Sequence, residues 1–514
     1  MKILVYSLVS VFIACNSAQK TVPKKEIEAP KDVVQIASSI TETELKEHLY
    51  IYASDAYEGR ETGEPGQKKA VEYLKKEYEK LGIPPAQKNG SYFQNVPLTL
   101  NKVPDGSVTY KNIAYSVGEH VLTFNASNTS FETMVYVGYG IEDGDYSDYR
   151  NMEVKDKLVL IKSGEPKKSD GNYILSGSKE KSIWSNTSES LEKRITLAKS
   201  YGAAGVLYYD NANYKRFKSR FNYIKQNNSG RMEINENAGK EFANLYIDSY
   251  LANILLPGIE AKDAPMELEN SISLQIESAN NQLTSENVVA VIKGSEKPEE
   301  YVIISSHLDH IGINANGDIN NGADDDGSGT VALLEIAEAF KKDSNQGNGP
   351  KRSIVFLHVT GEEKGLLGSK YYTDFDPIFP LKNTVANLNI DMIGRIDPKR
   401  IGDRNYIYLI GSDKLSKDLH NVSEEMNTKY TNIELDYTYN DANDPNRFYY
   451  RSDHYNFAKN NIPIIFYFNG THEDYHRPTD TPDKINYDLL ENRTKLVFYT
   501  AWEIANREQR IVVD

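Results

Sequence analysis

Imidazole and carboxylate side chains follow the apolar runs in the second half of the chain, and such groups can bind metal ions. The run "YVIISSHLD" ends in His307 and Asp309. Because side chains alternate along a strand, both face the same way, which suits a metal ligand beside a carboxylate that fixes its tautomer. The Gly-flanked loop "NGADDDGSGT" then carries Asp324, Asp325 and Asp326. These carboxylates would repel one another without a cation, so the pattern indicates a bound metal or a solvated turn.

Similar groups end three later strand-like runs. Glu362 and Glu363 follow "SIVFLHV", Asp391 ends "TVANLNID", and His476 comes after "IPIIFYFNG". Adjacent glutamates at a strand end point in different directions, so one can bind metal while the other handles a proton. In open α/β sheets, ligands bind beyond the carboxyl ends of the strands. Taken singly, each residue has an ordinary structural interpretation, but together they predict one metal centre.

The letters "HEDYH", residues 472 to 476, fit the helical zinc motif H-E-x-x-H. That motif needs both histidines one turn apart on a long helix, whereas this stretch follows a strand-like run and meets Pro478 two residues later. We therefore interpret His476 as a ligand, and His472 and Glu473 as loop residues that at most line the pocket. Three other histidines are expected to be structural or to support the ligands: His310, His358 and His454.

The elements that position these residues alternate between strand-like and helical runs. From about residue 276 to the end, runs such as "NVVAVIKG" and "YVIISSHL" alternate with helical ones such as "GTVALLEIAEAFKK". This alternation predicts an α/β fold with a mostly parallel mixed sheet flanked by helices. Nearer the start, "PGQKKAVEYLKKEYEKLG" has apolar residues at helical spacing between Pro65 and Gly82, which predicts an amphipathic helix.

The chain divides into five predicted parts. The first is a signal peptide of the lipoprotein type, with an apolar run that ends at Cys15, the only cysteine. A polar, Lys/Glu/Pro-rich tether follows, and a turn-rich β region later interrupts the α/β pattern. The predicted parts are 1–15 signal peptide, 16–40 tether, 41–96 N-terminal part of the catalytic domain, 97–275 β-rich insert and 276–514 catalytic domain.

Composition limits the function classes. The chain has 514 residues, of which 26% are charged and 39% hydrophobic, as in globular proteins. A net charge of −15 argues against nucleic acid as a partner, because phosphate binding needs clustered Lys and Arg. The stretch "IAC" before residue 16 resembles a bacterial lipobox, so we expect export and a lipid anchor on Cys15, in the periplasm or outer membrane. An ordinary cleaved signal is the alternative.

The order of the motifs "HLDH", "GADDDGSG", "GEEKG", "NIDMIG" and "DYHRPTD" resembles the di-zinc exopeptidases, a family that includes bacterial leucyl aminopeptidases, aminopeptidase Y and glutamate carboxypeptidase. The resemblance covers roughly residues 276 to 490, and "YEGRETGEPGQKKAVEYLKKEYEKLGI" resembles the N-terminal segment of the family. The runs "DKLVLIKSGE" and "YGAAGVLYYD" resemble the protease-associated domain that many members carry as an insert.

The resemblance implies two Zn²⁺ ions and a role for each matched residue. His307 and Asp391 would bind one zinc, Glu363 and His476 the other, and Asp325 would bridge them. The fourth residue counted from the glycine of "GADDDGSG" is the bridging position, which is Asp325.

Three further positions match catalytic residues of the family. Asp309 would orient His307, and Glu362 would be the general base toward a hydroxide shared by the two zinc ions. Tyr475 would hydrogen-bond the tetrahedral intermediate.

The implied activity is release of N-terminal residues from peptides, with Leu-like side chains as the default expectation. A carboxypeptidase is the alternative, because Arg447 and Arg451 could bind a terminal carboxylate. A binding protein without activity would be expected to have lost ligands, and each matched position keeps its ligand. A single-zinc glutaminyl cyclase fits less well, because the insert is typical of the peptidases.

Overall fold

A computed structural model gives the fold. It describes residues 31–514 apart from 186, 227–229, 236–241, 270, 278–280, 348 and 442. The predicted signal peptide, Cys15 and the tether up to residue 30 therefore lie outside the described residues. In the described part of the chain, no helix is both long and apolar enough to span a membrane.

The helices lie in three stretches of the chain: near the start, within residues 187–255 and from residue 329 onward. The α-helices are α1 (Lys31–Ala37), α2 (Glu42–Tyr52), α3 (Pro65–Leu81), α4 (Thr187–Ser200), α5 (Asn211–Gln226), α6 (Ser249–Leu255), α7 (Gly329–Asn345), α8 (Leu367–Lys370), α9 (Lys417–Met426), α10 (His454–Ala458) and α11 (Tyr487–Asn506). Helix α3 confirms the predicted amphipathic helix: Pro65 is its first residue, and Gly82 closes it in the left-handed conformation with φ of 68°.

The strands fall into two groups. Those of the large sheet are β1 (Phe93–Asn101), β11 (Arg231–Ile234), β15 (Asn281–Ile292), β16 (Lys297–His307), β17 (Arg352–Val359), β18 (Thr384–Ile390), β19 (Tyr406–Ile410), β20 (Glu434–Asp436) and β21 (Ile464–Phe468). Those of the insert are β2 (Asp105–Tyr110), β3 (Ile113–Ser116), β4 (Val121–Leu122), β5 (Ser127–Phe131), β6 (Met134–Tyr136), β7 (Glu142–Asp143), β8 (Tyr146–Ser147), β9 (Leu158–Lys162), β10 (Gly205–Tyr209), β12 (Ala243–Ile247), β13 (Met266–Leu268) and β14 (Ile272–Glu277).

The large sheet has nine strands in the order β11-β1-β15-β17-β16-β18-β21-β19-β20. Its four central strands, β17, β16, β18 and β21, are parallel to one another, whereas β1, β15 and β19 pair antiparallel toward the edges. Alternate residues of β16 enter two cores: Val302 and Ile304 pack with α7 and α11, and Ile303 packs with α10 on the opposite face. The predicted α/β fold with a mixed sheet between helices is confirmed.

The insert contains more than β-strands. Its six-stranded sheet, in the order β13-β6-β9-β10-β12-β4, has the parallel neighbours β6, β9, β10 and β12, and α4 and α5 follow β9 and β10. A four-stranded antiparallel sheet, β3-β2-β14-β5, completes the insert.

The predicted boundaries of the insert shift. Residues 93–101 pair with β15 in the large sheet, so the insert's own strands begin at Asp105 and end at Glu277. Within this stretch, β11 leaves the insert and pairs antiparallel with β1. The boundary at 97 was wrong because the sequence of β1 resembles that of the strands that follow it. Only the pairing of β1 with β15 assigns it to the large sheet.

The predicted tether is also too long. Residues 31–37 form α1, and Val33, Ile36 and Ile40 are at most 3% exposed in the main core. Apolar residues at this spacing bury one face of a helix, so the stretch from residue 31 belongs to the folded domain.

Candidate metal centre

The predicted ligands lie at one edge of the large sheet. His307 is the last residue of β16, Asp391 directly follows β18, and Glu363 follows the end of β17. His476 lies in the turn after β21. Because these four strands are parallel neighbours, their carboxyl ends meet at the same edge, and the structure brings the predicted residues together there.

The first donor group consists of His307, Asp325 and Asp391. His307 Nε2 lies 3.2 Å from Asp325 Oδ1 and 3.5 Å from Asp391 Oδ1. Each residue offers one ligand atom within 4.8 Å of the others. One imidazole nitrogen and two carboxylate oxygens at this spacing can surround one cation.

The second donor group uses the other oxygen of Asp325. His476 Nε2 lies 3.1 Å from Asp325 Oδ2 and 3.2 Å from Glu363 Oε2. Asp325 thus contributes Oδ1 to the first group and Oδ2 to the second, as a bridging carboxylate between two metal ions must.

His310, which the sequence analysis expected to be structural or to support the ligands, also belongs to this site. Its Nδ1 lies 2.9 Å from Glu363 Oε1 and 3.8 Å from Asp325 Oδ2, and these three residues form a second set of possible metal donors. His310 and His476 thereby flank the two oxygens of Glu363. The sequence feature that could have indicated a contact with the metal centre is the position of His310, three residues after His307 in "HLDH".

Several donor atoms are buried and lack a hydrogen-bond partner, and this tests whether metal ions fit the site. His307 Nε2, Asp325 Oδ2 and Glu363 Oε1 are buried without a hydrogen-bond partner, and so are both ring nitrogens of His310. Buried polar atoms normally have partners, so orphaned nitrogens and carboxylate oxygens that face one another need a cation. Histidine nitrogen and carboxylate oxygen are zinc ligands, and the donor set fits two zinc ions.

The three consecutive aspartates have separate roles, and none is a solvated turn residue: each is at most 3% exposed. Asp326 accepts hydrogen bonds from the backbone N–H groups of His307 at 3.2 Å, Gly329 at 2.9 Å and Met392 at 3.0 Å. It therefore joins the ends of β16 and β18 to the start of α7.

The segment "HEDYH" forms turns, not an α-helix. His472 Nε2 lies 3.1 Å from Asp324 Oδ2, away from the two donor groups, while His476 lies between Asp325 and Glu363. His472 is a loop residue, as expected, but it is buried and does not line the pocket that opens onto the first donor group. The two histidines thus contact adjacent aspartates and cannot share one cation as in the helical motif.

Asp309 supports the site mainly through its neighbours. His307 Nδ1 lies 3.0 Å from the backbone carbonyl of Asp309 and 4.0 Å from its carboxylate, so the nearer contact to the ring is the carbonyl. The carboxylate accepts hydrogen bonds from the Thr62 hydroxyl at 2.7 Å and the Glu362 N–H at 3.2 Å.

The N-terminal segment "EGRET" holds the same loops. Arg60 is 1% exposed, and its guanidinium donates to the carbonyls of Leu308, Asn321 and Gly322. A Cβ at Gly322 would lie 2.2 Å from the carbonyl oxygen of Asp325, so only glycine fits this approach.

A pocket opens onto the first donor group. We call it the aromatic pocket; its lining includes Met392, Phe448, Arg451, Phe466, Phe468 and Tyr475, together with Asp325, Glu362, Asp391 and His476. Glu362 lines this pocket, whereas its neighbour Glu363 belongs to the second donor group. The turn after β17 thus directs the side chains of Glu362 and Glu363 to different parts of the site. The Tyr475 ring stacks on His476 with centroids 3.9 Å apart.

Charge and burial shift the pKa values of two residues in the site, Glu362 and His476. Burial raises the pKa of Glu362 well above its usual range, and the charge of Glu363 adds to this effect. Burial disfavours the imidazolium of His476, but Asp325 and Glu363 outweigh burial and raise its pKa to about 10. Because metals bind neutral imidazole, a metal ion must displace this proton.

The other two predicted structural histidines have ordinary partners. His358 Nε2 lies 2.8 Å from the Tyr78 hydroxyl, and His454 Nε2 lies 2.8 Å from the Tyr449 carbonyl. Neither belongs to the two donor groups found among the described residues.

Comparison with known proteins gives the family. Residues 287–501 match the model of peptidase family M28. Aminopeptidase YwaD of Bacillus subtilis is 26% identical over 261 residues, which are 49% of this chain and 52% of that protein. A probable leucine aminopeptidase of Arthroderma benhamiae is 30% identical over 265 residues, which are 48% of this chain and 67% of that protein.

Among solved structures, the aminopeptidase from Aneurinibacillus sp. strain AM-1 is 19% identical with a TM-score of 0.48, covering 94% of this chain and 98% of that one. The chain spans about half to two thirds of the length of the two curated relatives. The match to the family model and the relative with 30% identity show that the chain belongs to peptidase family M28.

Proposed function

We propose that this protein is a zinc-dependent aminopeptidase that hydrolyses N-terminal residues from peptides. The observation that carries the proposal is the pair of donor groups that share Asp325 at the aromatic pocket, in which His307 Nε2, Asp325 Oδ2 and Glu363 Oε1 are buried and unsatisfied. The names of the two curated relatives, both aminopeptidases, support the same reaction.

In this proposal, His307 and Asp391 would hold one zinc ion, Glu363 and His476 would hold the other, and Asp325 would contribute one carboxylate oxygen to each. His310 contacts the Glu363 oxygen that does not face His476, and so fixes that carboxylate. When bound, the zinc ions polarise the scissile carbonyl and lower the pKa of a bound water.

The chain's own residues move the proton and hold the developing charge. Glu362 faces the aromatic pocket and accepts the proton of the attacking water, then passes it to the leaving amine. The Tyr475 hydroxyl donates a hydrogen bond to the oxyanion. Asp309 keeps Glu362 in place by accepting its backbone N–H at 3.2 Å.

The aromatic pocket sets the substrate class. Its walls of Met392, Phe448, Phe466 and Phe468 are apolar, which favours an apolar N-terminal side chain such as leucine. The acidic lining of the pocket near the donor groups favours the substrate's free ammonium group.

A paired peptide assay tests the reaction. Peptides with a free N-terminus and an amidated C-terminus should lose N-terminal residues one at a time, and N-acetylated peptides should be stable. Cleavage of neither peptide by the zinc-loaded protein would indicate a binding protein without activity.

A carboxypeptidase is the second candidate, because Arg451 lies in the aromatic pocket and could bind a terminal carboxylate. Arg447, the other arginine that could bind a terminal carboxylate, lies 3.5 Å from Glu189 of the insert instead. The same assay separates the candidates, since a carboxypeptidase would cleave the N-acetylated peptide with a free C-terminus and leave the amidated one intact.

We also propose that the protein is exported and anchored by a lipid on Cys15 to the bacterial cell envelope, as the apolar run before this lone cysteine supports. The insert is proposed to be a protease-associated domain, on the basis of the sequence resemblance of its runs around residues 156–165 and 201–210.

A further inference from the structure

One cavity lies between the catalytic domain and the insert, next to the aromatic pocket, and a second cavity continues from it on the surface of the insert. The first has a volume of about 410 Å³ and is lined by Tyr439, Arg447, Tyr449 and Tyr450 of the catalytic domain and by Glu189 of α4. The second has a volume of about 720 Å³ and runs along α4, with Ile183, Trp184, Lys193 and Leu197 in its lining. Glu189 lines both, so the two cavities are neighbours. We call them together the α4 groove.

The α4 groove also adjoins the aromatic pocket. The short 3-10 turn Phe448–Tyr450 contributes Phe448 to the aromatic pocket and Tyr449 and Tyr450 to the groove. The next residue, Arg451, again lines the aromatic pocket. One turn of the chain therefore separates the site of reaction from the groove, and His454 fixes this turn through the carbonyl of Tyr449 at 2.8 Å.

The surface of the groove suits a peptide. Ile183 in the cavity along α4 is 45% exposed, and Tyr450 in the cavity next to the aromatic pocket is 46% exposed. Cations lie over the aromatic rings: Arg447 is 4.9 Å from the ring centre of Tyr450, and Lys193 is 5.5 Å from that of Trp184. Exposed apolar groups with aromatic and arginine side chains are typical of binding surfaces.

We propose that the α4 groove binds the part of a peptide substrate that lies C-terminal to the scissile bond. This inference rests on the proposed aminopeptidase function. An aminopeptidase takes one residue into its pocket, so the chain that leaves the pocket is always the downstream part of the substrate. Substrates long enough to reach the insert would gain contacts there, and the enzyme would favour peptides over single-residue derivatives.

Kinetics with a short and a long substrate test the proposal. Leucyl-nitroanilide occupies only the aromatic pocket, whereas an octapeptide with N-terminal leucine reaches the groove. In Ile183→Asp, and separately in Tyr450→Ser, the ratio of kcat/KM for the octapeptide to kcat/KM for the nitroanilide should fall about tenfold, mainly through KM. Ile113→Asp changes a residue of the insert that is 57% exposed and outside both cavities, and it should keep the wild-type ratio.

The outcomes separate this proposal from the function it rests on. If the wild type hydrolyses both substrates and Ile183→Asp keeps the wild-type ratio, the groove proposal is wrong and the proposed aminopeptidase stands. If the wild type hydrolyses neither substrate, both proposals fall. A fall in the ratio for Tyr450→Ser alone would also contradict a groove that includes the insert.

Discussion

His472 Nε2 lies 3.1 Å from Asp324 Oδ2. His472 therefore contacts the aspartate that precedes Asp325, the residue shared by the two donor groups, and is structural. Asp324 also accepts the backbone N–H of Gly394 at 2.7 Å. The pair therefore joins the turn after β21 to the loop before α7. The next aspartate, Asp325, faces His476 instead.

The first prediction compares these two histidines. His476→Ala should lose zinc and nearly all activity, because it removes a donor of the second group. His472→Ala should keep both zinc ions but lose stability by about 1–3 kcal/mol, since Asp324 stays buried without its partner. Metal analysis and thermal unfolding measure both effects. Equal zinc loss in the two variants would support the helical H-E-x-x-H interpretation instead.

The second prediction separates proton transfer from metal binding. Glu362→Gln keeps its size but cannot accept a proton, so it should retain two zinc ions while kcat falls by ~10²–10⁴-fold. Glu363→Gln should weaken zinc binding, because an amide is a poor replacement for an anionic ligand. Glu473→Gln, a change at an exposed nearby glutamate, is the control. A reversed pattern would exchange the two assignments.

The third prediction concerns the proposed anchor. Activity should sediment with membranes in the wild type and become soluble in Cys15→Ser, because the acyl chains can attach only to that thiol. Ser17→Ala, two residues away, should leave the distribution unchanged. Soluble activity in the wild type would exclude the lipid anchor.

The fourth prediction uses a buried carboxyl outside the metal centre. Glu335 of α7 is 1% exposed, its oxygens have no hydrogen-bond partner, and His48 Nε2 lies 3.6 Å away. Burial raises the pKa of Glu335 to about 8 from the ordinary 4.5, with the charges of Glu44 and Glu338 adding to the effect and those of Lys342 and Lys80 opposing it. Between these values the unfolded chain releases a proton that the folded chain keeps, so stability falls as pH rises toward 8.

Glu335→Gln removes this dependence. Between pH 5 and 9, the melting temperature of the wild type should therefore fall relative to that of the variant. The expected fall is about 2–4 °C for each kcal/mol of unfolding free energy that the wild type loses. Glu72→Gln, a change at an exposed residue of α3 whose charge is not among those that shift the pKa of Glu335, should follow the wild type. Parallel melting curves for Glu335→Gln and wild type across this range would show that Glu335 does not titrate.

Local patterns in the sequence were enough to predict much of the fold. The period of 65–82 and its Pro and Gly ends predicted α3, because these signals act within one helix. The boundary at 97 could not be placed, because β1 belongs to the large sheet only through its pairing with β15, a partner nearly 200 residues away.

The candidate site shows the same division. The positions of the strand ends and the order of the motifs predicted that His307, Asp391 and Glu363 lie at one edge of the sheet. The sequence did not reveal that Asp326 would bind three backbone N–H groups or that His310 would contact Glu363, because both depend on how separate loops meet. The sharing of Asp325 between two donor groups likewise needed atomic positions.

The central claim is that two zinc ions, bridged by Asp325, support release of N-terminal residues. Titration of the metal-free protein with zinc, followed by leucyl-nitroanilide hydrolysis, tests it most directly. We expect activity to rise and level off at two zinc ions per chain, and Asp325→Asn to bind zinc weakly and stay inactive. Full activity without zinc, or an Asp325→Asn variant that binds two ions as tightly as the wild type, would contradict the claim.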